Sequence, residues 1–171
     1  LFPGWGGTAR APRIMGLGNA VEMITGGESV NAKTARLMNL ASDVVPPDQL
    51  IPAAISLIRH EQSSGDYKKD RLRWSQPLTI SKTELGFLGA TASAVIKGQT
   101  KGYYPAPEAA LEVMLEAAST DVETACEMEA EGMAELFGSS VNASLLNVFF
   151  LTDRNKKDVG VDGLGDTGLK P

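Results

Sequence analysis

The sequence predicts a mostly α-helical protein with one short strand near Val44. Apolar residues recur in most of the chain at i, i+3, i+4 and i+7, the spacing of one helix face. One such face is formed by Ile51, Ala54, Ile55 and Ile58. Aromatic residues make up only 6% of the 171 residues, while Ala and Gly are frequent, and this composition suits closely packed helices.

The helices can be placed by their capping residues and breaks. Thr8, Asn31 and Asp121 are predicted N-caps, because their side-chain oxygens can accept from the free N–H groups of a first helical turn. A strand is predicted at 42–47, stopped by two prolines that cannot donate to a ladder. The first predicted helix follows Thr8, and the others cover residues 19–25, 32–40, 48–58, 82–97, 107–118, 121–137 and 141–154.

Composition divides the chain into four predicted segments. These are a core portion, 1–60; a polar, basic connecting segment, 61–81; a helical portion, 82–157; and a glycine-rich flexible tail, 158–171. The basic run at 68–73 in the second segment is interpreted as a solvated loop. The tail reads GLGDTG at 163–168, which fits G-x-G-x-x-G. A dinucleotide site needs a strand before that motif and a helix after it, so the glycines are interpreted as a linker.

Charge and cysteine content exclude several function classes. The net charge of −5 argues against a general nucleic-acid binder, which carries a basic excess. Cys126 is the only cysteine, which favours a reducing, cytoplasmic location. No apolar run approaches the roughly 18–20 residues of a membrane-spanning helix. His60 and Cys126 stand apart from other ligand-type residues, so no metal site is predicted.

Acidic residues recur on two of the predicted helices. They are interpreted as solvated stripes, because charged residues at helical spacing usually face water. The residues are Glu108, Glu112 and Glu116 on one helix and Glu123, Glu127, Glu129, Glu131 and Glu135 on the next.

The most informative stretch is the glycine-rich segment at 2–8, which reads FPGWGGT. Glycines allow close approach of the backbone to a ligand, and a following helix adds its positive dipole end. Such a loop can hold a carbonyl oxygen or a water molecule. An ordinary glycine-rich turn explains the same residues, so the chemistry alone leaves both readings open.

Three blocks of sequence narrow that choice. Residues 3–16 read PGWGGTARAPRIMG, residues 20–35 read AVEMITGGESVNAKTA, and residues 40–46 read LASDVVP. In this order they resemble the segments P-G-x-G-G-T-x-R-x-x-R-x-x-G, A-x-E-x-x-x-T-G-x-x-x-x-A-x-x-A and L-V-D-x-V-V-P of the crotonase (enoyl-CoA hydratase/isomerase) family. The resemblance implies the helical C-terminal portion of a crotonase-like α/β fold.

Later residues resemble one branch of that family. Residues 74–78 read WSQPL and residues 102–107 read GYYPAP. This pattern is similar to the α subunits of bacterial fatty-acid oxidation complexes, and the resemblance covers roughly 1–157. It implies linker helices and, downstream, an NAD-binding 3-hydroxyacyl-CoA dehydrogenase domain. Since the chain begins at Leu1 without Met, we expect its ends to be cuts, or limits of order, within a longer polypeptide.

The resemblance also implies a set of site residues. Family hydratases use two upstream glutamates that share a water with a backbone N–H, while other N–H groups hold the thioester oxygen. These glutamates are absent here, so we expect the chain alone to be inactive. By position, the Gly4 N–H is expected to help hold the catalytic water, and Pro3 and Trp5 to contact substrate. Phe150 and Lys157 are expected near the adenine and phosphate of CoA.

The expected partners follow from the same resemblance. They are an acyl-CoA thioester, the N-terminal half of the hydratase, the dehydrogenase domain and a thiolase subunit, with no cofactor in this chain itself. One alternative is an enoyl-CoA isomerase or another crotonase. A second is a non-enzymatic helical assembly module. The residues expected near CoA also have an alternative explanation, in which Phe149 and Phe150 face the core and Lys157 belongs to the cationic last turn of a helix.

Overall fold

The computed structural model describes residues 1–158, and every regular element in that range is helical. Two short 3₁₀ turns, Pro47–Gln49 and Ala117–Ser119, accompany nine α-helices. The helices are α1 Gly7–Met15, α2 Leu17–Gly26, α3 Ala32–Leu37, α4 Leu50–Ser64, α5 Asp66–Ser75, α6 Lys82–Thr100, α7 Ala106–Glu116, α8 Val122–Leu136 and α9 Ser140–Lys157. The prediction of a mostly α structure is therefore confirmed for the described residues.

Two of the three predicted caps are confirmed. The backbone N–H of Thr34 donates to Asn31 Oδ1 at 2.9 Å, and that of Thr124 donates to Asp121 Oδ1 at 2.8 Å. The prediction for Thr8 is wrong. Helix α1 begins two residues earlier than predicted, at Gly7, with Gly6 as its N-cap. The Thr8 side chain is a donor here and not a cap acceptor.

The strand predicted near Val44 is absent. Residues 43–46 are irregular and carry no ladder, and Val44 is exposed. A strand exists only when a neighbouring strand pairs with it, and residues 1–158 contain none. The prolines that follow do stop the segment, since Pro47 starts a 3₁₀ turn that leads into α4.

The connecting segment, 61–81, is largely helical, and the basic run that was interpreted as a solvated loop lies in a helix. Helix α4 runs to Ser64, and α5 starts at Asp66 after a left-handed Gly65 with φ of 74°. The basic run lies on α5, where Lys69 pairs with Asp66 at 2.6 Å and Arg73 with Asp70 at 2.9 Å. These i, i+3 pairs suit a helix, whereas the basic side chains by themselves suggested a solvated loop.

The chain divides into two compact units, Leu1–Leu136 and a second unit that begins at Phe137. In the first unit, α1, α2, α6 and α8 contact α7, the helix with the most buried apolar residues in the described range. The largest buried apolar side chains of this core are Phe2, Met15, Leu17, Val21, Ile96, Leu111, Val113, Met114 and Leu136. In the second unit, α9 has no buried residue among those described.

No single helix in the described range is long and apolar enough to cross a membrane. Only α8 and α9 taken together reach the length and hydropathy of such a span. The GLGDTG stretch and nearly all of the predicted tail, 158–171, lie outside the described residues.

Candidate functional site

The glycine-rich segment forms a sharp turn that leads into α1. Gly6 has φ of 89°, a left-handed conformation that favours glycine. A Cβ added there would lie 1.8 Å from the nearest guanidinium nitrogen of Arg10, which donates to the Trp5 carbonyl at 2.7 Å. Gly7 approaches Pro3 so closely that a Cβ would lie 2.5 Å from the Pro3 Cβ. The motif residues thus shape the turn itself.

A buried carboxylate from a distant part of the chain holds this turn. Glu129 of α8 is only 1% exposed, and its Oε1 accepts from the Gly6 N–H. Its Oε2 accepts from the Thr8 N–H at 2.6 Å and from Thr8 Oγ1 at 2.5 Å. Because these donors lie at the N-terminus of α1, the positive end of the helix dipole also favours the carboxylate.

The interpretation of Glu129 as one of several solvated acids is therefore wrong. Its position lies on the buried stripe of α8, in step with Ala125 and Leu136, whereas Glu127 and Glu131 are exposed. A glutamate on an apolar stripe is the sequence signal that could have identified it, because a buried carboxylate needs internal donors. The donors are 121 and 123 residues away in the sequence, so the spacing could not show them.

Helix α8 contacts the turn at two further points. Gly132 lies close to Phe2, since a Cβ there would be 3.4 Å from Phe2 Cζ. Met133 lies against Gly4, where a Cβ would be 3.1 Å from Met133 Cγ. Residues 129, 132 and 133 share one face of α8, because residues three and four apart are neighbours on a helix. One face of α8 therefore touches the turn at Phe2, Gly4, Gly6 and Thr8.

The first three predicted site residues, Pro3, Gly4 and Trp5, are consecutive in this turn. The Gly4 and Trp5 N–H groups have no acceptor within residues 1–158, whereas the Gly6 and Thr8 N–H groups are both used by Glu129. The Trp5 side chain is 97% exposed, Pro3 is exposed and Gly4 is half-buried. The turn therefore offers free backbone donors beside a large exposed ring.

The other two predicted site residues lie on α9, in the second unit. Phe150 is 63% exposed and meets Phe149 edge-on, with the ring centroids 5.5 Å apart. The Lys157 ammonium pairs with Asp153 at 2.7 Å in the last turn of the helix. Phe150 and Lys157 are seven residues apart, about two turns, so they share one face of α9.

Arg13 fixes the far end of α1. It is buried, and it donates to the carbonyls of Ala9 at 2.5 Å, Thr120 at 2.8 Å and Ala117 at 3.4 Å. Burial lowers the pKa of Arg13, and the nearby Cys126 and Asp121 oppose this shift. The guanidinium thus joins α1 to the carbonyls that follow α7, so the second arginine of the motif is structural here.

The other acidic residues discussed above and the cleft described below contribute no functional group to the turn. Glu108 is half-buried and accepts from Ser93 Oγ at 2.5 Å, whereas Glu112 and Glu116 are exposed. A cleft of about 650 Å³ lies between the end of α1, the loop at 39–42 and α5, and none of the predicted site residues lines it. Within residues 1–158, no three His, Cys, Asp or Glu side chains are grouped to hold a metal ion.

Comparison with known proteins finds curated relatives among fatty acid oxidation complex α subunits. No family model matches it. Among curated proteins, the fatty acid oxidation complex subunit alpha of Pseudomonas putida is 35% identical over 158 residues, which are 92% of this chain and 22% of that protein. The same subunit of Pseudomonas savastanoi is 35% identical over 167 residues, or 96% of this chain and 23% of that protein.

The chain is thus similar, over more than nine-tenths of its length, to a segment of fatty acid oxidation complex α subunits. This finding confirms the resemblance to those subunits that the sequence blocks indicate. The chain spans less than a quarter of the length of the curated relatives it matches.

Proposed function

We propose that this chain is part of a multifunctional β-oxidation enzyme, in which the turn at 2–8 forms one wall of an active site that hydrates 2-enoyl-CoA to 3-hydroxyacyl-CoA. The similarity to fatty acid oxidation complex α subunits supports the pathway. The resemblance to crotonases supports the reaction and the crotonase-like fold. A cytoplasmic location belongs to the same proposal and is supported by the single cysteine.

The free N–H of Gly4 is the observation that carries this proposal. Hydration adds water across a double bond conjugated to a thioester, so the water must be held beside the β-carbon of the substrate. A backbone N–H that has no internal acceptor can donate to that water at a fixed position, and its use requires no reorganisation of the turn. Proximity of this kind is a large part of catalysis.

The acid–base groups of the reaction are proposed to come from outside this chain. Glu129 is the carboxylate in contact with the turn, but it is buried and both of its oxygens already accept hydrogen bonds. A general acid or base must reach the proton that it transfers. Glu129 therefore does not replace the two glutamates that family hydratases carry upstream, and the chain by itself is proposed to be inactive.

Pro3 and Trp5 are proposed to contact the substrate. The indole of Trp5 is exposed next to Gly4, so it can cover one side of an acyl chain that lies along the turn. On α9, the exposed ring of Phe150 and the ammonium of Lys157 are proposed to stack on adenine and to contact a phosphate of CoA. Lys157 already pairs with Asp153, so a phosphate has to compete with that carboxylate.

NAD belongs to the proposal only through a dehydrogenase domain expected outside this chain. A dinucleotide site needs a strand that leads into a glycine-rich turn and a helix. The described residues contain no strand, so they do not fit the dinucleotide and no oxidation step is assigned to them.

The assembly module remains a second candidate, because α9 exposes a run of large apolar side chains. Surfaces of this kind usually mark interfaces. The run consists of Leu145, Leu146, Val148, Phe149, Phe150 and Leu151. The dehydrogenase domain and a thiolase subunit are the proposed partners of this helix, in keeping with relatives that are subunits of a complex.

Removal of the Gly4 N–H tests the hydratase proposal. Gly4→Pro deletes the donor, and we expect kcat for hydration of a 2-enoyl-CoA by the full-length protein to fall about 100-fold, the usual loss for one transition-state donor. The decrease in absorbance of the conjugated thioester measures the rate.

Gly4→Ala is the matched control, because it adds a methyl group but keeps the N–H. The added Cβ would meet only the flexible side chain of Met133, at 3.1 Å from its Cγ. We expect this variant to keep at least a third of the activity. Equal losses in the two variants would show that space, and not the donor, matters at this position.

A further inference from the structure

The backbone of the turn has few internal restraints of its own. Between Phe2 and Thr8, the described residues provide three sources of hydrogen bonds. The Arg10 side chain donates to the Trp5 carbonyl, the Arg10 backbone N–H donates to the Gly6 carbonyl at 2.9 Å where α1 begins, and Glu129 accepts from Gly6 and Thr8. Arg10 is exposed, whereas Glu129 is buried. A hydrogen bond that water can replace restrains a backbone less than one that is shielded from water. The buried carboxylate is therefore the principal polar restraint on the turn.

Glu129 acts on both sides of the sharpest point of the turn. One carboxylate oxygen accepts from Gly6 and the other accepts twice from Thr8, so the carboxylate plane fixes the position of one N–H group relative to the other. We call these three hydrogen bonds from Gly6 and Thr8 to Glu129 the clamp. Gly4 lies two residues before the clamp and contacts Met133, which is one turn further along α8 than Glu129. A displacement of the carboxylate would rotate the peptides that set the direction of the Gly4 N–H.

The matching of donors and acceptors at this site requires a carboxylate. All three groups that point at Glu129 donate hydrogen bonds, so the site needs two oxygen acceptors. A glutamine of the same shape offers one oxygen, and its NH₂ group would face donors. The clamp therefore depends on the chemistry of the side chain and not only on its volume.

We propose that Glu129 is a positioning residue for hydration: through Gly6 and Thr8 it holds the turn so that the Gly4 N–H points at the attacking water. This inference rests on the proposed function. Glu129 transfers no proton and touches no substrate, and it acts from α8, the last helix of the first unit. The geometry of the active-site turn is thus set by a helix more than 120 residues away in sequence.

The first test is Glu129→Gln in the full-length protein, assayed for hydration of a 2-enoyl-CoA. We expect kcat to fall about 10- to 100-fold, because displacements of the order of 1 Å have such effects, while KM changes less than about 2-fold. Amide hydrogen exchange of residues 2–8 should accelerate, with no change in the exchange of α7. Glu127→Gln is the control, because it removes the same charge from an exposed position on the same helix. It should leave both kcat and exchange unchanged.

A second pair of variants covers the case in which Glu129→Gln fails to fold. Thr8→Val keeps the shape of the side chain and removes only the hydroxyl donor, and we expect kcat to fall about 3- to 10-fold, which corresponds to the loss of one hydrogen bond. Thr8→Ser restores the hydroxyl and should restore kcat. A residue that only stabilised the fold would lower the yield of active protein without this rescue.

The two proposals fail in different ways. Hydration with an unchanged kcat in Glu129→Gln or in Thr8→Val would overturn the positioning role and leave the proposed function intact. The same would follow if Glu127→Gln lost as much activity as Glu129→Gln. Absence of hydration in the wild-type protein would overturn the proposed function, and with it the role of Glu129 in that reaction.

Discussion

Helices α7 and α4 belong to the same unit and both carry an apolar face, but only α7 buries it. Helix α7 lies among α1, α2, α6 and α8. The elements with which α4 makes more than weak contact are only α5 and the preceding 3₁₀ turn, within the described residues. Helix α7 buries Ala110, Leu111, Val113 and Met114, and α4 exposes Leu50, Ile51, Ile55, Leu57 and Ile58. An apolar stripe therefore predicts which face a helix will bury, but not whether the described residues contain its partner.

The largest loss of stability should come from a substitution in α7, the helix that buries its apolar face. Leu111 is 2% exposed, and Leu111→Ala would leave a cavity in the apolar core around α7. We expect the free energy of unfolding of the first unit to fall by about 2–5 kcal/mol. Amide hydrogen exchange of α7 in the full-length protein, followed against urea concentration, measures this loss. A loss below about 1 kcal/mol would mean that α7 is not the centre of the core.

A substitution in the exposed apolar face of α4 should have a smaller effect on stability. Ile58 is 57% exposed, so Ile58→Ala should change the free energy of unfolding by no more than about 0.5 kcal/mol. The same exchange experiment on α4 gives the value. A loss above about 2 kcal/mol would show that another part of the full-length protein covers α4, which would explain its apolar stripe.

The smallest effect concerns the start of α8, which carries the clamp. The Thr124 N–H donates to Asp121 and lowers the pKa of Asp121 below its usual 3.8. A depressed carboxyl pKa adds stability that is present above the unfolded-state pKa and is lost as the pH falls through the folded-state pKa. The thermal midpoint of Asp121→Ala should therefore lie below that of the wild type at pH 6. The difference should shrink as the pH falls below about 3.8 and disappear below the lower folded-state pKa. A difference that stayed constant down to low pH would rule out this role for the carboxylate.

The sequence predicts the helices better than it predicts their contacts. Most of the predicted helices and the caps at Asn31 and Asp121 are confirmed, because capping and 3.6-residue periodicity are local properties. Helix α5 was not predicted, because its polar composition indicated a loop. The helical signal was the spacing of its charges, since Asp66 and Asp70 each precede a basic partner by three residues. The prediction of a strand near Val44 was wrong, because the described residues contain no second strand that could pair with it.

The candidate site shows the same limit. The glycine-rich turn can be found from its residues and from its resemblance to crotonases, and the structure shows that its Gly4 N–H has no acceptor in the described range. Glu129 was grouped with exposed glutamates, since its donors are more than 120 residues away in sequence. Long-range pairing of a buried charge depends on the tertiary fold, so only the apolar stripe around Glu129 could have signalled it.

The most direct test of the account is hydration of a 2-enoyl-CoA by the full-length wild-type protein in water enriched in oxygen-18, with the product analysed by mass spectrometry. Hydration transfers the water oxygen to carbon 3, so we predict a 3-hydroxyacyl-CoA that carries one oxygen-18 atom. An isomerase would move the double bond of a 3-enoyl-CoA without incorporating any label. Absence of labelled product would contradict the proposed function and the role assigned to the turn that Glu129 holds.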